Sequence, residues 1–338
     1  MEYGAIDLHT RRSEIRIVTE DGTVVLERRI DTRAGEFGRV LGGRPRMRIL
    51  LESGTESEWV AQTLEQLGHE AIVADPTYTA MYGSRNRRVK TDRRDVAALA
   101  EACRRGIYRL AHRVSPATQR RRQHLRTRDH LIRMRTQTIN AVRAIVRGAG
   151  HRVPSGSTRT FVARVQTLDL ADLGEVVAPL LAVLTHVAQQ IADAEAWVRA
   201  TAAADPIAQR LMTLPGVGGV VALSYQSALE TPTRFDGDAA RASAYLGLVP
   251  SEHSSGEGHH RGAITKAGPR MVRSLLVQAA WTLWRQRRRV PHLYAWVEQV
   301  AARRGRRIAV IALARRMSRI LFALWRDDTD FRRAPTGA

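Results

Sequence analysis

The chain contains very little cysteine and few aromatic side chains. Cys103 is its only cysteine, which excludes an internal disulfide and a zinc site made of cysteines, and which fits a reducing compartment. Aromatic residues make up 5% of the chain and rarely stand among the arginines. Stacking of single-stranded bases on aromatic rings is therefore not indicated.

Long apolar runs and a secretory leader are also missing. No apolar run reaches the roughly 18–20 residues that a helix needs to cross a bilayer. Residues 1–4 lead directly into a predicted strand, which is not the pattern of a signal peptide. We therefore expect no membrane partner and a cytoplasmic, nucleoid-associated protein.

Acidic residues are scarce compared with basic ones. The 338 residues include 33 Asp and Glu against 54 Lys and Arg, which gives a formal net charge of +21. An excess of this size implies an acidic polymer as partner, whereas solubility alone would not explain why the arginines cluster. Only Asp129 interrupts the cluster at 119–135, and a second cluster spans 285–307. A solvated charged face is the alternative, but we expect contacts with a phosphate backbone.

Apolar patterning predicts an α/β domain at the N-terminus. Strands are predicted at 3–8, 14–19 and 23–30, and the turn signal Asp21-Gly22 separates the second from the third. Further strands are predicted at 48–52 and 70–74, on either side of a helix that ends at Gly68. Three antiparallel strands followed by alternating helix and strand describe a ribonuclease-H-like sheet.

The rest of the chain is predicted to be mainly helical. Two long helices at 118–147 and 176–203 have imperfect heptads and favour an antiparallel or dimerising pair. The segment Leu214-Pro215-Gly216-Val217-Gly218 resembles the turn of a helix-hairpin-helix, whose backbone N–H groups bind phosphate. A polar, glycine-rich loop follows Pro250, and helices are predicted at 269–289 and 291–326. We divide the chain into domains at 1–113, 114–204 and 205–327, with a tail at 328–338.

Four carboxylates stand where a divalent-metal site would need them. Asp92 and Asp95 begin an alanine-rich helical pattern, and their spacing of three residues places them on one helix face. Asp7 and Glu52 lie in or just after predicted strands, where a charge is costly unless it is paired or metal-bound. Together they could hold two divalent cations for phosphoryl transfer. Taken singly, Asp92 could instead cap its helix, and Asp95 could pair with a neighbouring arginine.

A second candidate site lies at 253–273. Ser255 precedes Gly256, and basic residues that could bind phosphate follow in the sequence: Arg261, Lys266, Arg270 and Arg273. An activated serine could attack a phosphodiester and divide strand transfer into two steps. An ordinary loop serine is the alternative, since the only nearby candidates for a base are His253, His259 and His260. A zinc site of these three histidines would lack carboxylate and thiol partners.

At these residues the chain resembles the DEDD-type insertion-sequence transposases of the IS110 family. The resemblance covers nearly the whole chain, and its motifs occur in the right order and separation. They are Lys90-Thr91-Asp92-Arg93-Arg94-Asp95, then Gly247-Leu248-Val249-Pro250 to Ser255-Gly256, then Thr265-Lys266-Ala267-Gly268 and Arg273-Ser274-Leu275-Leu276. The family includes bridge-RNA-guided serine recombinases, and recombinases that invert pilin genes are its relatives.

The resemblance implies a RuvC-like ribonuclease-H-fold domain, a coiled coil and a C-terminal transposase domain that carries the serine. It implies that Asp7, Glu52, Asp92 and Asp95 bind Mg²⁺, or alternatively Mn²⁺. It also implies that Ser255, beside the alternative Ser254, takes a 5′ phosphate covalently, once brought to the metal site in cis or by another subunit. The implied partners are double-stranded donor and target DNA and a structured guide RNA, bound by a homodimer or homotetramer.

We expect nucleic-acid binding from eight basic residues of the two motifs and the arginine-rich helix: Arg88, Lys90, Arg121, Arg126, Arg261, Lys266, Arg270 and Arg273. Two other functions stay open. One is a metal-dependent, structure-specific nuclease resembling a Holliday-junction resolvase, in which the serine has no chemical role. The other is a non-catalytic nucleic-acid-binding remnant of a transposase, although the presence of all four acids and the serine argues against it.

Overall fold

A computed structural model of the chain describes residues 1–83, 91–255, 258–286 and 289–332, with the backbone alone at 253–255 and 258–261. The chain forms two compact units, Met1–Val114 and Ser115–Ala338. We refer to them as the N-terminal unit and the C-terminal unit. The finer division into four segments stays a prediction.

The described part of the N-terminal unit contains a five-stranded sheet in the predicted segments. Its strands are β1 (Tyr3–Asp7), β2 (Arg12–Val18), β3 (Val24–Asp31), β4 (Arg48–Glu52) and β5 (Glu70–Ala74), arranged in the order β3-β2-β1-β4-β5. Strands β1, β2 and β3 pair antiparallel, whereas β4 pairs parallel with both β1 and β5. The carboxyl ends of β1 and β4 therefore lie side by side at one edge of the sheet.

Helices cover both faces of this sheet. Alternate residues along β1 and β4 point to opposite faces: Ile6 and Leu51 belong to one apolar core, and Ala5 and Leu50 to the other. The first core includes residues of α1 (Ala34–Leu41) and α2 (Ser57–Gln66), and the second includes residues of α3 (Asp92–Arg105). Helix α1 was not predicted, because its two glycines weaken the helical signal. It forms since Phe37 and Leu41, one turn apart, are buried together.

Two long helices begin the C-terminal unit and pack antiparallel. Helix α4 (Pro116–Gly148) and helix α6 (Leu173–Ala204) flank the short α5 (Phe161–Gln166). The ring of His124, early in α4, stacks on that of Trp197, late in α6, with 4.1 Å between centroids. Val146, near the end of α4, shares a core with Val177, near the start of α6. The predicted antiparallel arrangement of the two helices is therefore observed within one chain.

Helix α6 corrects one expectation from the sequence. Among the described helices, it is long and apolar enough to cross a membrane by length and composition, with a mean hydropathy of 1.3 over 18 residues. The sequence analysis overlooked this stretch because polar residues such as His186 and Gln189 interrupt the apolar run. The finding is weak evidence for a membrane segment, since long helices of soluble proteins pass the same test.

The remainder of the C-terminal unit is mostly helical around one apolar core. Helices α7 (Pro206–Met212), α8 (Gly219–Leu229) and α9 (Ala239–Tyr245) precede a two-stranded hairpin, β6 (Pro250–Ser255) and β7 (Gly258–Ile264). Helices α10 (Arg270–Arg285), α11 (Pro291–Arg304) and α12 (Arg306–Arg326) follow. The hydroxyl of Tyr225, inside α8, donates to the carbonyl of Ser318 in α12 at 2.7 Å.

The hairpin replaces the polar loop predicted after Pro250. Its strands are rich in serine, histidine and glycine, which have low strand propensity, so the sequence contains no alternating apolar pattern there. Backbone pairing holds the strands in register, with Pro250 opposite Ile264 and Glu252 opposite Arg261. Such pairing depends on the backbone and is not signalled by the side chains.

Candidate active site

The sheet places Asp7 and Glu52 at the same edge. Each is the last residue of its strand, and the parallel register sets Ile6 opposite Leu51, one position before the two acids. Both acids are partly buried, and the side chain of Asp7 is only 13% exposed. The apolar residues before them fix the two strands in the core, so the carboxylates end at a rigid boundary of the sheet.

The first turn of α3 carries Asp92 and Asp95. Thr91 is the N-cap: its backbone is extended, and its hydroxyl accepts the N–H of Arg94 at 3.4 Å. The alternative in which Asp92 caps this helix is therefore wrong, and Asp92 is the first helical residue. Asp95 is 7% exposed and lies next to the buried Val96. Carboxylates are favourable in this turn because unpaired backbone N–H groups make it electropositive.

Asp7 and Asp92 meet around a residue that the sequence analysis missed. The Nε2 atom of His9 lies 3.4 Å from Oδ2 of Asp7 and 3.6 Å from Oδ1 of Asp92. One potential ligand atom from each of the three residues lies within 4.8 Å of the others, a spacing that could hold a metal ion. The signal available in the sequence was the spacing Asp7-Leu8-His9, which places a second metal-binding side chain just beyond the strand.

The other three acids act on Asp7 electrostatically. Burial raises the pKa of Asp7 to about 6, His9 opposes this shift, and the like charges of Glu52, Asp92 and Asp95 add to it. The four predicted acids are therefore close enough for their charges to interact. Such a cluster of like charges is costly in the ionised state, and a divalent cation would relieve the repulsion.

Neighbouring side chains hold two of the acids in place. The hydroxyl of Tyr82, in the short 3₁₀ turn Thr79–Tyr82, donates to Oε1 of Glu52. One guanidinium nitrogen of Arg29 lies 3.9 Å from Oδ2 of Asp92, and another lies 3.4 Å from Glu14. These contacts join residues far apart in the sequence, and no local motif predicted them.

The backbone of the predicted serine segment is the hairpin formed by β6 and β7. Ser255 ends β6 opposite Gly258, and Ser254 lies opposite His259. The side chains of both serines, of Arg261 and of the three histidines lie outside the described residues. Their predicted roles therefore stay predictions.

Two glycines of the family motif fix the base of this hairpin. Gly247 has φ +67°, and a Cβ added there would lie 2.4 Å from the carbonyl oxygen of Ala267. Gly268 has φ +65°, and an added Cβ would lie 1.9 Å from the carbonyl oxygen of Tyr245. Two backbone segments cross here without room for any side chain, which explains why both positions require glycine.

The predicted basic residues differ in their surroundings. Arg88 and Lys90 lie outside the described residues. Arg126, Lys266 and Arg270 are exposed. Arg273 donates to the carbonyl oxygens of Leu246 and Ala267 at 3.0 and 2.7 Å, and so supports the base of the hairpin.

Carboxylates distant in sequence partly neutralise the arginine-rich helix α4. Arg121 lies 3.0 Å from Asp205 and donates to Gln226 at 2.6 Å, and Arg128 lies 2.9 Å from Glu195. Acidic residues are scarce within α4, as expected from the sequence. In the folded chain, however, acidic residues from other segments pair with two of its arginines. Arg121 therefore links α4 to α8 and to the junction of α6 and α7, and its charge is already paired.

Comparison with known proteins is consistent with this arrangement. A protein-family model for DEDD transposases of the IS110 type, which carries the description "Transposase", matches residues 5–150. A second model, described as the transposase IS116/IS110/IS902 family, matches residues 208–295. The first match includes all four predicted acids, and the second includes Ser255 and the base of its hairpin.

Relatives match over most of their length. The transposase for insertion sequence element IS1111A of Coxiella burnetii is 29% identical over 91% of this chain and 85% of its own. The Sinorhizobium fredii protein y4pF/y4sB is 30% identical over 85% of this chain and 74% of its own. The transposase for insertion sequence element IS1328 of Yersinia enterocolitica is 27% identical over 96% of this chain and 97% of its own. The resemblance noted in the sequence is confirmed: the chain belongs to the IS110 family of DEDD transposases.

Proposed function

We propose that this transposase cuts and rejoins DNA strands at a divalent-metal site formed by Asp7, Glu52, Asp92 and Asp95, with Ser255 as the covalent carrier of the cut end. The observation that carries the proposal is the electrostatic cluster at the sheet edge. Three other acids act on Asp7 there, and its pKa is raised to about 6, mainly by burial. Stability alone does not favour four interacting acids, which is why perturbed carboxylates indicate function.

The ligand atoms fit a hard divalent cation. Carboxylate oxygens are the ligands that Mg²⁺ and Mn²⁺ prefer, and the four acids supply them from rigid elements. When bound, such a cation stabilises the negative charge that develops on a phosphate under attack. Tyr82 would hold Glu52 in place through its hydrogen bond. His9, between Asp7 and Asp92, would order both carboxylates.

The proposed serine step conserves the energy of the phosphodiester. The Oγ atom of Ser255 attacks the phosphorus and loses its proton to water, while the bond to the 3′ oxygen of the preceding nucleotide breaks and that oxygen takes up a proton. A phosphoserine results. The 3′ hydroxyl of another strand then attacks the phosphorus and releases the serine, so that strands are joined without an external energy source.

Further properties follow as part of the same proposal. Three antiparallel strands followed by two parallel ones support a RuvC-like ribonuclease-H fold for the N-terminal unit. The turn at 214–218 between α7 and α8 supports a helix-hairpin-helix. We propose donor and target DNA and a structured guide RNA as partners, a homodimer or homotetramer as the active form, and action in the cytoplasm at the nucleoid.

A covalent-adduct assay tests the serine. The protein is incubated with Mg²⁺, DNA labelled 5′ and 3′ of the cleavage site, and RNA transcribed from the DNA beside its gene, and adducts are resolved under denaturing conditions. We expect adducts and recombinants from the unaltered protein and from Ser254→Ala, and neither from Ser255→Ala, which should still bind DNA.

The opposite result for the two serines would assign the nucleophile to Ser254. Recombination by the double variant would refute the serine mechanism. Metal-dependent cleavage without an adduct by the unaltered protein would favour the alternative nuclease function. DNA binding without any cleavage would favour the non-catalytic remnant.

A further inference from the structure

His9 lies two residues beyond the end of β1, at the edge of the sheet where the acids meet. Its side chain is 52% exposed, so burial does not force the imidazole ring into this position. The ring nitrogen Nε2 nevertheless lies between a carboxylate of β1 and one of α3, within 4.8 Å of an oxygen of each. Packing alone does not explain this placement.

The two distances from the His9 ring are long for charge-assisted hydrogen bonds. Nε2 lies 3.4 Å from Oδ2 of Asp7 and 3.6 Å from Oδ1 of Asp92. Such hydrogen bonds are about 2.7–2.9 Å long, and a single N–H cannot serve two acceptors well. Two ligand atoms bound at about 2.1 Å to one ion lie about 3.0 Å apart at a right angle and about 3.4 Å apart at the tetrahedral angle. The observed separations therefore fit ligands of one cation better than a hydrogen-bonded ion pair.

The backbone of His9 is anchored from the far side of the sheet edge. Thr32, which follows β3, donates its hydroxyl to the carbonyl oxygen of His9 at 2.7 Å and its backbone N–H to the carbonyl oxygen of Arg11 at 2.9 Å. The Thr32 hydroxyl also lies 2.8 Å from that of Ser13, which is fully buried in β2. These bonds hold the segment between β1 and β2 in place. The position of the ring therefore depends on buried structure.

The three facing atoms are two carboxylate oxygens and one imidazole nitrogen. Arg29 approaches the other oxygen of Asp92, Oδ2, at 3.9 Å, so one oxygen faces a cation of the protein and the other faces His9. Mg²⁺ prefers oxygen ligands, whereas an imidazole nitrogen is a ligand of first-row transition-metal ions. A nitrogen at this place would therefore change which cation the acids hold.

We propose that His9 binds a divalent metal ion through Nε2, together with Asp7 and Asp92, and thereby makes the site select Mn²⁺ over Mg²⁺. The inference rests on the proposed metal site and adds a fifth residue to its four acids. As a ligand, His9 orders the two carboxylates through the ion that all three share. The four acids alone would give a site of oxygen ligands, and His9 determines its selectivity.

The direct test uses Mn²⁺ alone as the probe, without nucleic acid. Electron spin-echo envelope modulation of Mn²⁺ bound to the full chain detects a directly coordinated nitrogen. The unaltered protein should show this modulation, and isotopic labelling of the histidine nitrogens should change it. His9→Gln should lose it, because glutamine has a similar reach and offers an oxygen instead. His130→Gln is the matched control, since His130 is exposed on α4, and should keep it.

A second measurement gives the selectivity. Calorimetric titration compares the affinities of each protein for Mn²⁺ and for Mg²⁺, and thermal unfolding with EDTA checks that the variants fold. Even a residue that only supports a metal ligand is worth about 10–100-fold in affinity, so His9→Gln should weaken Mn²⁺ binding by about tenfold or more. The affinity for Mg²⁺ should change much less, because Mg²⁺ accepts the glutamine oxygen. The ratio of the two affinities should stay unchanged in His130→Gln.

Three results would overturn the inference and leave the proposed metal site standing. They are bound Mn²⁺ without nitrogen modulation in the unaltered protein, modulation that persists in His9→Gln, or an equal loss of affinity for both cations in that variant. The last result would limit His9 to positioning the carboxylates. The proposed metal site itself fails differently: neither cation would bind the unaltered protein, and the inference would fall with it.

Discussion

Replacing Asp7 by asparagine should make the metal-free protein more stable. Asp7 ends β1 with a side chain that is 13% exposed, and its pKa is raised from the ordinary 3.8 to about 6, first by burial and then by the neighbouring acids. The folded state therefore disfavours the charged carboxylate. Asparagine has nearly the same shape and no charge, so Asp7→Asn removes this penalty without leaving a cavity.

The size of the effect follows from the pKa. Each tenfold change in a proton-binding constant is worth about 1.4 kcal/mol, so a pKa raised from 3.8 to about 6 corresponds to roughly 3 kcal/mol. Well below pH 3.8, Asp7 is protonated in both the folded and the unfolded chain, and the two proteins should be equally stable; at pH 4, just above the ordinary pKa, the difference should still be small. Between about pH 4 and pH 6, the folded chain keeps a proton that the unfolded chain has lost. The unaltered protein therefore loses stability relative to Asp7→Asn across this window, and the difference is complete above it.

Urea unfolding at pH 4, 5, 6 and 8 with EDTA measures this difference. Asp31→Asn is the matched control, because Asp31 ends β3, is 54% exposed and lies 3.7 Å from Arg12. Its effect should stay within about 0.5 kcal/mol. Adding Mg²⁺ at pH 8 should stabilise the unaltered protein and leave Asp7→Asn unchanged, since ligand binding stabilises only a chain that contains the site. The reasoning would be refuted if Asp7→Asn were no more stable at pH 8, or if its advantage were the same at pH 4.

Two further predictions concern the backbone and the charge. Gly268→Ala should destabilise the chain by about 3 kcal/mol or more in urea unfolding, since an added Cβ would lie 1.9 Å from the carbonyl oxygen of Tyr245 and φ is +65°. Gly174→Ala, in the first turn of α6 with open space around the added Cβ, should be neutral or stabilising, and an equal loss in both variants would contradict the argument. DNA affinity should fall about 10³–10⁵-fold between 50 and 200 mM salt if six to ten phosphates are contacted, whereas a flat response in anisotropy would mean that the charge serves solubility.

The sequence alone was enough to place the acids on their elements. The β1 and β4 segments are short apolar runs that include an acid, so Asp7 and Glu52 were placed in or just after these strands without coordinates. The spacing of Asp92 and Asp95 determines that they share a helix face, because a helix repeats every 3.6 residues. Local periodicity determines such positions, and these predictions therefore did not need the fold.

The tertiary structure decided which groups meet. His9 lies between Asp7 and Asp92, and Tyr82 contacts Glu52, only because a parallel sheet and a helix bring these residues to one edge. Arg121 finds Asp205, more than 80 positions further along the chain, through helix packing that no local pattern encodes. Whether the acids bind metal and whether Ser255 is the nucleophile stay predictions.

The hairpin and two buried serines were beyond the sequence for a related reason. Strands β6 and β7 pair through backbone hydrogen bonds, which are the same for every residue type and leave no pattern in a polar segment. Ser224 and Ser227 look like ordinary helical serines until packing buries their hydroxyls, which find no hydrogen-bond partner among the described residues. Periodicity in the sequence determines which side of an element a residue occupies. Only the packing of distant elements determines what faces it, because contact energies depend on distances in space.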